Sequence, residues 1–413
     1  MIIRLLLKHG ADQNPTNEDG ATLLHFICQK CPYDYPTILT LFQSVDELQL
    51  TVQIDAQDKR GDTSLLLALK NGKDIRTVQR GANPSLANEK GLTPLHIICQ
   101  SDLNAYSLRL FFEFNEEIEK TVQIDARDNE GNTPLHLAIS CGNLEMIELL
   151  LRRSTDPCLA NAKGLTPLLL IARREVHDDM MSVFLSINEK RQQTVGIDAR
   201  DDSGRTALEW AVTRYFPLAV KILLRRGADL SGFVFPVPSD SDRYWDNNRQ
   251  GNNNLDKGRS VTKLTAATGL LATVELLETR GYKLDRDDAL KFMGFFDKYG
   301  LYESTDFSTS KEVDDLVDSL FKQMAKKPTY MDYFKFASSY KLRKILHECR
   351  EACSLLLCEK VSTKFFRDWA LDPFKELMHY RLPTECCEIV FKKLKNKDLF
   401  NICLAAAGRS SRQ

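Results

Sequence analysis

A short phrase returns six times in the first half of the chain, and this repetition constrains the fold more than any other feature. The clearest copy is Asp128–Ala138, with the sequence DNEGNTPLHLA, followed by the apolar run Leu144–Leu151. Every copy has a glycine two residues before a threonine, at Gly20, Gly61, Gly91, Gly131, Gly164 and Gly204. Successive glycines are 41, 30, 40, 33 and 40 residues apart. Such a period predicts an array of stacked units rather than one globular core.

The residues of the phrase predict a turn followed by two helices. The glycine suits a turn position with positive φ. Thr133 can cap the first helix, and Pro134 then occupies the first helical position, where its missing N–H does no harm. Leu144, Ile147 and Leu151 form one apolar stripe on the second helix, which neighbouring repeats must cover. The histidines that follow the threonine are expected to form hydrogen bonds within and between repeats, at His25, His96 and His136.

Long and short copies alternate, so the larger unit is a pair of repeats. The long copies share a second phrase, TVQIDA at Thr51–Ala56 and Thr121–Ala126, and TVGIDA at Thr194–Ala199. The extra residues are expected to lengthen the second helix or the outer loop on one edge of the stack. Two interpretations stay open, a tolerated insertion and a partner-binding edge.

The T-P-L-H-x-A phrase with a period near 33 resembles the ankyrin repeat. The resemblance assigns about six repeats to residues 1–231, the first incomplete because Ile2–Lys8 resembles a second helix without its first. The sequence is therefore either a fragment or an array whose first stripe has no cap. Residues 232–260 hold prolines, asparagines and glycines and are expected to form a loop or linker. Residues 261–285 resemble a degenerate seventh repeat.

The second half loses the glycine phrase and is expected to be all-α. Residues 286–380 are interpreted as a helical region without a recognisable site. In the tail, residues 381–413, Cys387, Val390, Phe391 and Leu394 recur at helical spacing and predict one apolar face. Asn396 is expected to cap a second short helix.

The order of Leu-Pro, an acidic residue, apolar residues and Asp-Leu in the tail resembles the front half of an F-box. Together the two ends resemble ankyrin proteins with a poxvirus-type C-terminal domain called PRANC, here at about residues 310–410. The resemblance implies an all-α fold, an ankyrin solenoid followed by a helical F-box-like domain. It also implies that the tail docks on the Skp1 subunit of a cullin-type ubiquitin ligase while the repeats hold a protein target. The positions that match the docking motif are Leu382, Pro383, Glu385, Ile389, Val390, Phe391, Leu394, Asp398 and Leu399.

Composition argues against several other classes of protein. The 56 basic and 57 acidic residues give a net charge of -1, which does not favour nucleic acid or an anionic membrane surface as a partner. No run approaches the ~18–20 apolar residues that span a bilayer. The 11 cysteines are an odd number, and the apolar start, interrupted by Arg4 and Lys8, is not expected to act as an export signal. We expect reduced thiols and an intracellular protein, in the cytoplasm or the nucleus.

No pattern of catalytic or metal-ligating residues stands out, so we predict a protein that is not an enzyme and has no cofactor or metal. His347, Cys349, Cys353 and Cys358 lack the paired knuckles of zinc sites and are interpreted as parts of a helix. The lysines of the tail form either a solvated face or a contact for an acidic protein. The predicted function is a ubiquitin-ligase adaptor, and the alternative is a scaffold or decoy that sequesters a signalling protein without ubiquitination.

Overall fold

The structure is a computed structural model that describes residues 2–30, 35–71, 80–101, 105–174, 179–235, 259–301, 315, 317–320, 327–339, 342 and 350–408. The chain divides into two compact units, which we call the N-terminal unit, Met1–Ala207, and the C-terminal unit, Leu208–Gln413. The boundary falls at the first residue of a helix of the sixth repeat. The described residues form helices and turns, with isolated bridges in place of strands.

The N-terminal unit is a stack of helix pairs. Its helices are α1 Ile2–Lys8, α2 Leu23–Lys30, α3 Tyr35–Glu47, α4 Ser64–Lys70, α5 Pro94–Gln100, α6 Ala105–Glu117, α7 Pro134–Cys141, α8 Leu144–Arg152, α9 Pro167–Arg173 and α10 Met180–Lys190. The first helices of successive repeats pack in one row, from α2 through α4, α5 and α7 to α9. The second helices form another row, in which α1 packs on α3 and α8 packs on both α6 and α10. Each repeat therefore covers the apolar stripe of its neighbour, as the sequence predicts.

We call the turn before each first helix a finger and number the fingers 1 to 6 in chain order. The finger glycine is left-handed in all six, and at Gly131 it also permits a close approach of the next finger. Gly131 has φ 74°, a left-handed conformation that other residues enter at a cost. A Cβ added there would lie 2.7 Å from the backbone nitrogen of Ala162 in the next finger. The close approach lets Ala162 N–H donate to the carbonyl of Glu130 at 2.9 Å. The same link joins Glu89 to Arg60 and Asn129 to Lys90, both at 3.0 Å.

The long repeats differ from the short ones in their second helix and along one edge. Helices α3 and α6 have 13 residues and α10 has 11, whereas α8 has 9. At the shared phrase, the carbonyl of Thr51 accepts a hydrogen bond from the Asn14 amide at 2.9 Å. Ser85 Oγ donates to Thr121 at 3.4 Å, and Cys158 Sγ donates to Thr194 at 3.2 Å. The three phrases thus lie on the same edge, each against the preceding repeat.

Two arginines join long and short repeats in the same way, 73 positions apart in sequence. Arg80 lies over the ring of Phe42, 4.8 Å from its centroid, and pairs with Asp46 one helical turn later. Arg153 lies 4.5 Å from the centroid of Phe112 and pairs with Glu116.

The C-terminal unit contains two long helices, of 20 and 28 residues, and is held by aromatic contacts. Its described helices are α11 Ala207–Thr213, α12 Pro217–Arg225, α13 Arg259–Glu278, α14 Arg286–Lys298, α15 Tyr330–Ala337, α16 Arg350–Leu377, α17 Thr384–Phe391 and α18 Asn396–Ala406. Helix α16 is central and packs against α13, α14, α17 and α18. Buried phenylalanines join α14 to α16, with ring centroids 4.2 Å apart for Phe292 and Phe365 and 5.4 Å for Phe296 and Phe366.

The degenerate seventh repeat expected at residues 261–285 does not appear as a helix pair. Residues 259–278 form the single helix α13. Gly269 lies inside it, where a Cβ would come within 2.7 Å of the Tyr215 carbonyl. The glycine thus permits close packing onto the turn before α12 instead of making a turn itself, and no proline interrupts the segment. Within the linker predicted at 232–260, Arg259 and Ser260 begin this helix, and residues 236–258 lie outside the described range.

Helix α16 runs through Pro373, and a neighbouring helix supplies a donor for the carbonyl that the proline leaves without its helical hydrogen bond. Proline has no N–H, so the Trp369 carbonyl four residues earlier loses its helical donor. The Cys403 thiol of α18 donates to that carbonyl at 3.6 Å. Burial raises the pKa of Cys403 to about 11, so the thiol keeps its proton and remains a donor at neutral pH.

Candidate functional site

The TPLH histidines occupy the structural role that the sequence predicts. His136 Nδ1 lies 2.8 Å from Thr133 Oγ1, and its Nε2 lies 2.9 Å from the Leu165 carbonyl of the next repeat. His25 and His96 reach the carbonyls of Asp62 and Asn132 in the same way, both at 3.0 Å. Because both ring nitrogens are used inside the stack, these histidines are structural.

A groove of about 780 Å³ opens between fingers 2 and 3 of the N-terminal unit. Its lining residues come from both fingers and from the first helices behind them: Arg60, Asp62, Lys70, Asn88, Glu89, Lys90, Leu92, Ile97, Gln100 and Ser101. The floor is apolar at Leu92 and Ile97, and the rim is charged. A groove of this size with an apolar floor and convergent polar groups can hold an extended peptide segment.

A buried carboxylate holds the groove together. Asp62 is 4% exposed and accepts two hydrogen bonds from Lys70 Nζ, both at 2.6 Å. Its Oδ1 also accepts from the Asn88 side chain at 2.8 Å, which ties finger 2 to finger 3. The Gln57 amide bridges the same fingers by donating to the Gly61 and Ala87 carbonyls at 2.8 and 2.9 Å. The rim side chains therefore project from a fixed backbone.

The second candidate surface is the outward side of helix α17 in the C-terminal unit. Cys387 and Phe391 face inward, and the Phe391 ring lies 5.3 Å from that of Phe374 on α16. Ile389 and Val390 face outward and are 59% and 38% exposed. The sequence placed Val390 and Phe391 on one apolar face, and that prediction was wrong because α16 covers only the Phe391 side. The apolar residues of α17 therefore divide between a packing face and an exposed face.

The remaining motif residues also divide between the interior and the surface. Leu399 is buried, Leu382 and Leu394 are half-buried, and Pro383, Glu385 and Asp398 are exposed. Asp398 accepts a hydrogen bond from the Lys395 N–H at 3.0 Å and so stabilises the start of α18.

Asn396 does not cap α18, which is the second correction to the tail. Lys395 is the capping residue. Asn396 is buried and anchors α18 to α16, since its N–H donates to Glu359 Oε1 at 2.6 Å and its side chain donates to the Glu359 carbonyl at 3.0 Å. A third bond reaches Ser362 Oγ at 2.8 Å.

Sequence reasoning missed three apolar side chains that are exposed next to the tail motif, Leu377, Met378 and Tyr380. They lie at the end of α16 and in the turn before α17. That turn contains two consecutive non-glycine residues in the left-handed region, His379 with φ 50° and Tyr380 with φ 54°. A Gly or Asn would have marked such a turn; here the end of α16 is closed by backbone hydrogen bonds, among them Tyr380 N–H to the Lys375 carbonyl at 2.8 Å.

The helices of the described residues include none that is both long enough and apolar enough to cross a bilayer. Within the same residues, no group of three or more His, Cys, Asp or Glu side chains is arranged to hold a metal ion. Cys353 and Cys358 are buried in α16, as expected of helix thiols, while His347 and Cys349 lie outside the described residues.

Comparison with known proteins identifies the repeats. Residues 65–161 match the family model for ankyrin repeats in three copies. The chain is 27% identical over 179 residues to the human transient receptor potential cation channel subfamily A member 1, covering 42% of this chain and 15% of the channel. It is 28% identical over 174 residues to a putative ankyrin repeat protein of fowlpox virus (strain NVSL), covering 39% of this chain and 47% of that protein.

Among solved structures, the ankyrin repeat domain of Bcl-3, described as a unique member of the IkappaB protein family, is 25% identical with a TM-score of 0.43, covering 51% of this chain and 89% of that one. The chain spans less than half the length of the two sequence relatives. The repeats in this chain are ankyrin repeats, and an array of them is a scaffold for protein–protein interaction.

Proposed function

We propose that this chain is a non-catalytic adaptor that acts inside the cell, in the cytoplasm or the nucleus. Its ankyrin repeats, residues 1–231, hold a protein target. Its tail, residues 381–413 of a PRANC-like domain at about 310–410, docks on the Skp1 subunit of a cullin-type ubiquitin ligase. One observation carries the docking half of the proposal, the exposed pair Ile389 and Val390 on the outward side of α17.

The surroundings of that pair support an acidic protein as the partner. Exposed lysines follow α17, with Lys392, Lys393 and Lys395 between the two helices and Lys397 at the start of α18. An apolar centre with a charged rim is the usual construction of a protein interface. The docking residues in this proposal are the outward members of the motif, while Phe391 and Leu399 support them from inside.

A scaffold or decoy without ubiquitination is the second candidate, and the buried half of the motif favours it. Phe391 and Leu399 pack within the C-terminal unit, and Asn396 is bonded to α16. If the tail serves only to complete the helical packing of the C-terminal unit, the protein can bind its target without recruiting a ubiquitin ligase.

The two candidates are separated by capture of purified Skp1 on the full-length chain. The adaptor should retain Skp1 at micromolar concentration. Ile389→Ala with Val390→Ala should weaken capture by roughly tenfold or more with an unchanged thermal melt, because each truncated side chain contributes about 1 kcal/mol at an interface.

Phe391→Ala is the matched control, since the same helix then loses a buried ring and the melting temperature should fall. Absence of capture by the unaltered chain would exclude the adaptor. Undiminished capture by the double variant would exclude α17 as the docking surface.

A further inference from the structure

We propose that the groove between fingers 2 and 3 binds an acidic segment of the target protein, an extended stretch in which Asp or Glu side chains flank a small apolar residue. This inference rests on the proposed role of the repeats as the target-binding half. It assigns to that half one location and one partner chemistry.

The rim charge supports an acidic occupant. Arg60 and Lys90 are exposed and occupy equivalent positions on successive fingertips, each directly before the finger glycine. Lys59 is exposed next to Arg60, and Glu89 is the one acidic residue among these four tip positions, which leaves a net charge of +2. Opposite charges at close range raise both the rate and the specificity of association.

The charges deeper in the groove do not cancel the positive charge of the rim. Asp62 is buried and both of its oxygens accept from Lys70. The pair is neutral as a unit, so a ligand meets Arg60 and Lys90 without competition from that carboxylate. The same pair and the Asn88 amide fix the spacing of the two fingers, which lowers the conformational entropy lost on binding.

The basic rim is local to this groove. The tip of finger 1 carries Glu18 and Asp19, and that of finger 4 carries Asn129 and Glu130. Since the backbone frame is shared along the array, the difference lies in side-chain charge. An acidic segment would be attracted to fingers 2 and 3 and repelled on either side, which fixes its register.

The experiment selects binders from a displayed library of random short peptides on the full-length chain. We expect the selected pool to be enriched in Asp and Glu. For one selected peptide, fluorescence anisotropy should show roughly tenfold weaker binding when its carboxylates are replaced by amides, and a similar loss with Arg60→Glu plus Lys90→Glu. Rising salt should also weaken binding.

Three further variants sharpen the test. Lys163→Glu changes the finger 5 residue equivalent to Lys90 and should leave the affinity unchanged. Glu89→Gln should strengthen binding because it removes the opposing rim charge. Arg60→Gln with Lys90→Gln should give a smaller loss than the charge reversal, and it keeps the test valid if the reversal disturbs folding.

A selected pool without acidic enrichment would overturn the inference, as would acidic peptides that bind the reversal and neutral variants as tightly as the unaltered chain. Failure here is distinguishable from failure of the adaptor role. The groove variants should still capture Skp1, and the Ile389→Ala, Val390→Ala variant should still bind the acidic peptide.

Discussion

The two units of the chain obtain their stability in different ways. In the N-terminal unit each repeat is specified locally, by a glycine turn and a threonine before the first helix, and in three repeats a histidine also reaches the next repeat. In the C-terminal unit the helices meet through rings far apart in sequence, such as Phe292 with Phe365 and Phe374 with Phe391. Contacts within a repeat produce a repeated sequence motif, whereas packing between distant residues produces no periodic sequence pattern.

The largest expected effect tests the aromatic packing of the C-terminal unit. Phe366 is fully buried and contacts Phe296, so Phe366→Ala should reduce the free energy of unfolding by about 3–5 kcal/mol. Hydrogen exchange should show protection lost in α14, α16 and α18. Leu377→Ala removes an exposed side chain from the same helix and serves as the control. Equal effects of the two changes would contradict the proposed core.

The next effect separates the two roles of a finger glycine. Gly131 and Gly204 have nearly the same φ, 74° and 76°. A Cβ added at Gly131 would lie within 4 Å of the neighbouring finger, whereas a Cβ added at Gly204 would have no neighbouring atom within 4 Å. Gly204→Ala should cost about 1 kcal/mol from backbone strain, and Gly131→Ala about 3 kcal/mol because the fingers must also separate. Urea denaturation measures both. Similar values would show that the contact between fingers is unimportant.

The histidine links of the repeats predict a dependence on pH. Burial lowers the pKa of His96 and His136, so the folded state binds protons less readily than the unfolded chain. Their contribution to stability is therefore present above the unfolded pKa of about 6.5 and is lost as the pH falls below it.

Denaturation midpoints near neutral pH and near pH 5, measured for the chain and for His96→Gln with His136→Gln, check this. The variant should be less stable near neutral pH and should lose less stability in acid. A variant with the same pH dependence as the unaltered chain would contradict the assignment.

The smallest expected effect concerns the arginines that join paired repeats. Arg153→Ala removes a cation–π contact with Phe112 and an exposed ion pair with Glu116, and should cost about 0.5–1 kcal/mol. Arg153→Lys keeps the charge without the planar group, and its stability should lie between that of the alanine variant and that of the unaltered chain. If the alanine variant melts as the unaltered chain does, the pairing of repeats does not depend on this contact.

The sequence by itself determined the repeat architecture, the roles of the finger glycines and histidines, and the shared edge of the long repeats. These features arise from contacts within a few residues or between equivalent positions, so the same residues return in several copies. The helical character of the second half also followed from periodicity.

Only the tertiary structure decided which side of each C-terminal helix is covered. Residues 259–278 form one helix, in which Gly269 packs closely against the Tyr215 carbonyl, and the Phe391 ring packs inward against Phe374. Helical spacing places residues on a face but does not say whether a neighbour will cover it. That depends on partners distant in the chain, and so the exposure of Val390 could not be predicted from the spacing that grouped it with Phe391.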